Sequence, residues 1–555
     1  MAVTTDVRQL MQRFSFLENQ RTNYEWTMQE ITDLFMPYRG DITTRYSPGE
    51  RRKPLFDSFG AVEADRFVNF LNGTLYPSSS DWVKYRVRGA VEFSREIDAA
   101  LYDTSMRVMD ALSASNFYVA AQTDTRDWGV LGNSTLYVQH DDEYAGDNDE
   151  FGGLNFDPVP FSRVWWVFSC IGRPLLLVRE LERPAIDHVA FFNKPGDKIP
   201  PRMAQLAKDQ PFTMVKVLHF IQRNEKGKKG GDIKPWDSRW VFKDDPFTIR
   251  RGQFNNCPYI AARMMVMDGE QYGRGRGHLA RPIMKGVNEI ARQKFIALGK
   301  EMNPPFMAEE DEIAQLDLTP GGHVVVRPPK EVQPGYLRSG TDFGLIEQVI
   351  ANMHMTVREA FLGDALGEPE AQTRSAEAER SRQARALARL ASTSQTIVHE
   401  KLSPLFENVT DIMLSKGALP ELQAIINENP DLELEFEFTS PFFTAMKAQS
   451  LARIDSFLER RYQRFERTGD PGALEDIDND QLREVEKFLG DVPAKIFRSQ
   501  DEIEQLREAR GDQAADDRIA QLMERAGQSQ TQVQLRPGGT RRNGAGLADM
   551  TGPVI

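Results

Sequence analysis

The sequence has 555 residues, and this length predicts at least two domains because one hydrophobic core stops growing at about 250 to 300 residues. Hydrophobic residues make up 40% and charged residues 27% of the chain, which excludes a wholly disordered or collagen-like protein. The net charge of −13 argues against tight, static binding to phosphate, because that affinity depends on lysines and arginines that displace counterions, so any contact with DNA should be loose.

The N-terminal region predicts helices and no export signal. Residues 1–13 lack the apolar run of a secretory signal, so we expect a protein that is made and kept in the cytosol. A helix is predicted from Ala61 to Leu75, where Tyr76-Pro77 stops it, and Asp57 or Ser58 could cap its start.

The stretch from Gly129 to Met267 has the short, turn-punctuated runs of a β-rich body. Its most apolar part, Val164 to Val178, is broken by Gly172 and Pro174, so it predicts buried strand and not a membrane span. The segment from Asn224 to Gly231 predicts an exposed hairpin loop or a disordered turn. No membrane association is expected.

Two helices follow, separated by a compact insert. The first is predicted from His278 to Met302 and ends at Asn303-Pro304-Pro305. The insert, Phe306 to Thr341, contains one predicted strand, Gly322 to Arg327. The second helix is predicted from Phe343 to Leu362.

The C-terminal part is mostly helical by pattern. After a loop from Gly363 to Pro369, the longest helical pattern runs from Ala371 to Lys416, about 70 Å at 1.5 Å per residue, and Pro404 should kink or end it. Asp431 to Thr439 predicts a strand with alternating apolar and acidic residues. The pattern is then helical to about residue 525, and the tail that follows has the composition of a disordered segment. The predicted fold class is therefore α+β and predominantly helical.

The motifs of most enzyme classes are missing. There is no Gly-x-x-x-x-Gly-Lys-[Ser/Thr] loop to hold ATP, the seven histidines lack zinc-hydrolase spacing, and Cys170 and Cys257 are too few for a zinc site or a disulfide framework. Gly273, Gly275 and Gly277 superficially resemble a phosphate-binding turn, but their spacing favours a tight helix start. A Ser/His/Asp triad assembles in space and stays open. We expect no catalytic site, metal or cofactor.

The long predicted helix has one basic face. Arginines fall within a sector of about 80°, opposite an apolar face, at Arg374, Arg382, Arg385 and Arg389. A solvated or salt-bridging face between subunits explains them, and so does a position near passing DNA phosphates. The preceding loop is acidic, with Asp364, Glu368 and Glu370, and would repel phosphate. A repulsive collar beside a basic stripe would let DNA slide without sticking.

Several sequence blocks, in this order, resemble the head-to-tail connecting (portal) protein family of short-tailed bacteriophages, the podoviruses, over roughly residues 20 to 465. The blocks are Leu55 to Gly60, Leu71 to Pro77, Gly129 to Tyr137, Tyr272 to Gly275, Pro304-Pro305, Glu400 to Leu405, Gly417 to Pro420 and Ser440 to Phe442.

This resemblance implies a portal-type fold with a wing, a helical stem, a small clip insert, a long wing-to-crown helix and a helical crown. The implied parts are the wing 1–270, stem helices 271–305 and 342–362, clip 306–341, tunnel loop 363–370, the long helix with a strand and connecting helices 371–465, crown 466–525 and tail 526–555.

The resemblance also implies the function. Such a protein forms a dodecameric ring at one capsid vertex of the virion, conducts double-stranded DNA during packaging and ejection, and connects head to tail; it is made in the host bacterial cytoplasm. The implied partners are terminase, tail adaptor proteins, the major capsid protein and possible scaffold or internal core proteins. Candidate docking residues in the clip are Glu309, Glu310, Asp311, Glu312 and Lys330.

Two other functions stay open. A capsid scaffold or internal core protein would share the acidity and the long helices, without needing a closed ring. A metal-dependent nucleic-acid enzyme could use Asp141, Asp142 and Glu143, although adjacent acids more often border a turn.

Overall fold

A computed structural model describes much of the first 464 residues. The described residues are 7–39, 42–43, 54–87, 95–141, 151–303, 306–308, 323–325, 335–336, 342–363, 389, 395–429, 433–444, 457–461 and 463–464. The chain divides into two compact units, Met1–Asp491 and Val492–Ile555, and every described residue lies in the first.

Helices and strands alternate irregularly along the chain. The helices are α1 (Val7–Phe35), α2 (Phe59–Leu75), α3 (Arg95–Ala114), α4 (Phe117–Arg126), α5 (Ala185–Phe191), α6 (Pro201–Asp209), α7 (Arg276–Met302), α8 (Phe343–Ala360), α9 (Ser403–Ser415) and α10 (Pro420–Glu428), with π-helical turns at Asp127–Leu131 and Ile397–Leu402. The strands are β1 (Val83–Val87), β2 (Asn133–His140), β3 (Leu154–Pro158), β4 (Val164–Phe168), β5 (Pro174–Pro184), β6 (Met214–Arg223), β7 (Trp236–Phe242), β8 (Phe247–Phe254), β9 (Tyr259–Arg263), β10 (Phe306–Ala308), β11 (His323–Val325), β12 (Gly335–Tyr336) and β13 (Leu434–Phe438).

The described strands form four sheets. The largest is an antiparallel meander in the order β4-β5-β6-β7-β8, and beside it in sequence is a three-stranded sheet, β3-β2-β9. The insert between α7 and α8 forms a small sheet in the order β11-β10-β12. Strand β1 pairs with the distant β13, with Tyr85 opposite Phe436. The mixed α+β class is confirmed.

Helix α1 covers one face of the five-stranded sheet. Its apolar stripe of Leu10, Phe14 and Leu17 is buried against that sheet. Arg21 is fully buried on the same helix, where its guanidinium donates to three backbone carbonyls, those of Phe161, Ser162 and Val164, and pairs with Glu25. A buried cation persists only with such full compensation, so Arg21 fixes α1 in one register on the sheet.

The main core lies around α2, whose Phe67, Val68 and Leu71 are inaccessible to solvent. Aromatic side chains from other elements meet there: Phe361, just after α8, lies 5.9 Å from the Phe67 ring and 5.2 Å from Phe35 of α1. This core therefore joins α1 and α2 to the end of α8.

Close packing explains the glycines around the start of α7. A Cβ atom on Gly275 would overlap the carbonyl oxygen of Val130, and one on Gly277 would lie 2.7 Å from that same oxygen. Gly132, with φ +84°, meets the backbone of Arg274 from the other side. The predicted tight helix start is thus confirmed, since the glycines let two backbone segments touch.

The described part of the long C-terminal helix changes type near its proline. Ile397–Leu402 is π-helical, and Pro404 lies in the first turn of α9, where its missing N–H costs nothing. Of residues 371–394 only Arg389 is described, so the 70 Å length stays a prediction. Across the described ranges, no helix combines the length and apolarity needed to cross a bilayer.

Candidate subunit interface

Helices α7 and α8 form an antiparallel pair that the core holds at one end. Lys294 forms an ion pair with Glu347 at 2.8 Å, and a Cβ atom on Gly286 would lie 3.1 Å from Met353. Residue numbers therefore increase along α7 as they decrease along α8, which makes the pair antiparallel. The small β10–β12 sheet belongs to the insert that connects the two helices.

One apolar stripe of α7 is covered only along its first half. Ala280, Met284, Val287 and Ala291 are buried, each within 7 Å of rise of the next. At the same helical spacing the stripe continues with Phe295, Leu298 and Met302, which are 57%, 41% and 79% exposed. An apolar stripe that continues beyond the core into solvent predicts that another protein surface covers its second half.

Helix α8 also presents apolar side chains to solvent. Leu345 and Val349, one turn apart, are 58% and 40% exposed, and Met355 is 66% exposed. Both helices of the pair thus have uncovered apolar surface, which suits packing of neighbouring pairs side by side.

The other end of α8 is anchored to the start of α2. Asp57 accepts a hydrogen bond from the Phe59 backbone N–H at 2.8 Å. Of the two predicted capping residues, Asp57 therefore bonds to the first turn of α2, and the Ser58 side chain does not. The second Asp57 oxygen lies 2.9 Å from Nε2 of His354, and that imidazole stacks on the Phe59 ring at 4.0 Å. The cap of one helix therefore also fastens another.

The chain leaves α8 in a strained conformation. Leu362 is buried and has φ +61°, the one non-glycine residue with positive φ in the described part of the chain. Gly363 follows, and a side chain there would overlap Arg358 and lie 2.9 Å from Oε2 of buried Glu63. A positive φ at a leucine costs free energy unless the surroundings impose it, so the packing around Leu362 and Gly363 fixes how α8 ends.

The π-helical turn Ile397–Leu402 is fastened to β9 and to α4 by two buried ion pairs on consecutive residues. Glu400 binds Arg263 at 2.7 Å and accepts the Arg263 backbone N–H at 2.9 Å. Lys401 binds Asp124 at 2.7 Å, and both side chains are about 95% buried or more. Burial alone would lower the pKa of Lys401, but Asp124 and Tyr76 raise it above its usual value, so the ammonium stays charged.

Sequence analysis missed these two ion pairs. The sequence did contain a signal for them, because Glu400 and Lys401 are adjacent charged residues in an amphipathic helix. Adjacent helical residues point about 100° apart, so the two side chains must bind different partners.

Most of the predicted channel residues lie outside the described residues. These are Asp364, Glu368, Glu370, Arg374, Arg382 and Arg385, together with the clip candidates Glu309, Glu310, Asp311, Glu312 and Lys330. Arg389 is described: it is exposed, and its charge adds to burial in lowering the pKa of Arg276 at the start of α7. One residue of the predicted basic stripe therefore lies near the start of α7, and the stripe as a whole stays a prediction.

No metal centre is visible within the described ranges, where no three potential ligands converge. Asp141 directly follows β2, and its backbone N–H donates to the carbonyl oxygen of Gly153 at 3.0 Å. Its neighbours Asp142 and Glu143 lie outside the described residues.

Residues 7–497 match the family of bacteriophage head to tail connecting proteins. The chain belongs to this family. It is similar to the portal protein of Salmonella phage epsilon15, with 23% identity over 539 residues, which is 92% of each chain. It is also similar to the probable portal protein of Bordetella phage BPP-1, with 20% identity over 475 residues, covering 82% of this chain and 83% of that one.

Family membership gives the helix pair its context. A head-to-tail connecting protein is a structural part of the virion, with capsid on one side and tail on the other. Members assemble through contacts between copies, and the uncovered stripes of α7 and α8 are surfaces of the kind that such contacts need.

Proposed function

We propose that twelve copies of this chain form a ring at one capsid vertex, that double-stranded DNA passes through the ring during packaging and ejection, and that the role is structural and not catalytic. The observation that carries the proposal is the stripe of Phe295, Leu298 and Met302, which continues a buried face beyond the core of one copy. Supporting it are the family match and the similarity to two phage portal proteins.

The charges on α7 suit a conduit. Arg281 and Lys285 share Glu30 and Arg292 is bound by Glu289, so these three cations of α7 are largely balanced by acids of the same chain. A ring of twelve would carry a formal charge of −156, twelve times −13. Phosphates would be repelled overall and held only weakly, which favours sliding.

The proposal extends to the parts of the ring. Residues 1–270 would be the wing, α7 and α8 the stem, and 306–341 the clip, which would contact terminase and later the tail adaptors through Glu309, Glu310, Asp311, Glu312 and Lys330. The tunnel loop 363–370 and the arginines of the long helix would face DNA, residues 466–525 would form the crown, and the major capsid protein and possible scaffold or core proteins would surround the wing.

A charge placed in the α7 stripe tests ring formation. In Leu298→Lys, a charged side chain replaces the leucine at every subunit contact, and the contribution of leucine burial, about 1.5–3 kcal/mol, is lost. The protein concentration at which rings are half-assembled should therefore rise at least about tenfold. Native mass spectrometry and sedimentation velocity measure this.

Gln293→Lys is the matched control, because Gln293 is exposed on α7 outside the stripe and lies next to Glu289. Rings should form normally with it. Equal assembly of both variants would contradict the stripe as an interface. Closed rings with a pore would also separate this function from that of a scaffold, and cleavage of duplex DNA that depends on Mg²⁺ would favour an enzyme.

A further inference from the structure

The five-stranded sheet has two different surfaces at its two ends, an exposed apolar one at one end and one lined by both polar and apolar side chains at the other. Strand β5 runs through the sheet for 11 residues, Pro174–Pro184, which separates the two ends by about 33 Å. The surfaces at those ends differ in shape, since one projects and the other is a groove.

The projecting surface, here called the knob, consists of Ile186, Phe212 and Met214. Their exposed fractions are 45%, 80% and 53%. Backbone hydrogen bonds place them side by side, because Ile186 N–H donates to Pro211 at 3.1 Å and Ala185 N–H to Thr213 at 2.9 Å. Phe212 is at the tip of the turn between α6 and β6 and is the most exposed of the three.

The concave surface, here called the groove, has a volume of about 680 Å³ and lies between the β4–β5 turn and the loop after β9. Its apolar lining includes Phe168, Met264 and Met265, with Val266 and Met267 exposed to 41% and 50%. Methionine side chains adapt to the shape of what they bind, and the volume exceeds that of one aromatic side chain. Cys170 lies on its edge.

A ring fits this arrangement of the two surfaces. Closing a ring requires head-to-tail contacts, in which each copy uses two different surfaces at different places. A knob at one end of a sheet and an adaptable groove at the other end meet that requirement, whereas two copies of one surface would give a two-fold dimer.

Charge does not oppose the contact. The groove is lined by three carboxylates, those of Asp268, Glu270 and Glu400, and by one arginine, Arg263. The knob is flanked by two exposed cations, Arg183 and Lys208, and by two acids, Asp187 and Asp209. The charges beside the knob balance, and Glu400 and Glu270 of the groove are paired with Arg263 and Arg274, so an uncharged apolar knob can approach the groove without net repulsion.

We propose that the Phe212 knob of one copy inserts into the methionine-lined groove of the next copy around the ring. This inference rests on the proposed ring function and adds a contact between wings to the contact between stem helices. The occupant is a second copy of this chain.

The native Cys170 provides the test, because it lies on the groove edge and is exposed. In Phe212→Cys rings, a short bis-maleimide should join the new thiol to Cys170 of the next copy and give a ladder of covalent oligomers on a denaturing gel. Burial raises the pKa of the other cysteine, Cys257, to about 12, so its thiol stays protonated and unreactive at neutral pH.

Two controls make the result specific. Cys170→Ser added to Phe212→Cys should abolish the ladder, and Tyr38→Cys, at a residue 85% exposed on another part of the chain, should give none. Rings seen by electron microscopy that yield no ladder would overturn the knob–groove contact and leave the ring function standing. If the wild-type protein forms no rings, the proposed function fails first, and this inference fails with it.

Discussion

Single buried polar residues hold this chain's sheets and helices in register. His219 of β6 is fully buried, with Nδ1 2.7 Å from the Tyr259 hydroxyl and Nε2 2.9 Å from the Ser238 hydroxyl, and its ring stacks on Trp240 at 3.8 Å. It joins β6 and β7 of the large sheet to β9 of the small one. Composition and periodicity could not reveal it, because a histidine inside an apolar strand gives no sign of its distant partners.

His219 predicts a specific pH dependence of stability. Burial, with Arg179 and Arg250 adding to it, puts its pKa well below 6.5, so the folded protein holds it neutral. As the pH falls through 6.5, the unfolded chain takes up a proton that the folded chain does not, and the free energy of unfolding decreases. Between pH 7.5 and 5.5 this group should cost about 1.4 kcal/mol.

Urea denaturation of the wild type and of His219→Gln at both pH values measures that loss. Glutamine can still donate and accept a hydrogen bond but does not titrate, so the variant should lose about 1.4 kcal/mol less than the wild type. His188 and His278 also have lowered pKa values, and they titrate equally in both proteins. An identical loss in the two proteins would show that His219 has the same pKa in the folded and unfolded states, which would contradict a lowered pKa in the folded protein.

At the scale of elements, the sequence predicted the helices better than the pairings between strands. The apolar spacing and the Asn303-Pro304 stop predicted α7 to within two residues, since the helix spans Arg276–Met302. The alternation of apolar and acidic residues predicted β13, but its partner β1 is some 350 residues away and no local pattern encodes that pairing. The π-helical turn before Pro404 and its two ion pairs were also missed, because they depend on tertiary partners.

The turn before α7 packs closely against the backbone just before β2, and a pair of glycine substitutions tests this packing. Gly275→Ala places a methyl group against the Val130 carbonyl oxygen and 2.5 Å from the Gly132 nitrogen, so it should destabilise the protein by several kcal/mol, about 3 or more, or prevent folding. Gly73→Ala lies inside helix α2 with open space around it and should stabilise by about 0.5–1 kcal/mol. Thermal unfolding of both variants decides, and equal effects would contradict the packing described for the turn.

For the whole molecule, sequence blocks predicted the family, and the family match over residues 7–497 confirms it. The candidate site was predicted less well. The basic stripe and acidic loop rest on helical spacing and lie almost wholly outside the described residues, whereas the uncovered stripe of α7 became visible only when the core was seen to end at Ala291. Spacing shows which residues share a face, but it does not show where along a helix that face loses its cover.

The central claim is that acidic copies of this chain close around a pore that admits duplex DNA without gripping it. Cryo-electron microscopy of the purified full-length protein tests this most directly. We expect closed rings of twelve with an axial channel wider than B-form DNA, bordered by α7 and α8. Particles that stay monomeric, or that assemble without a central channel in every buffer examined, would contradict it.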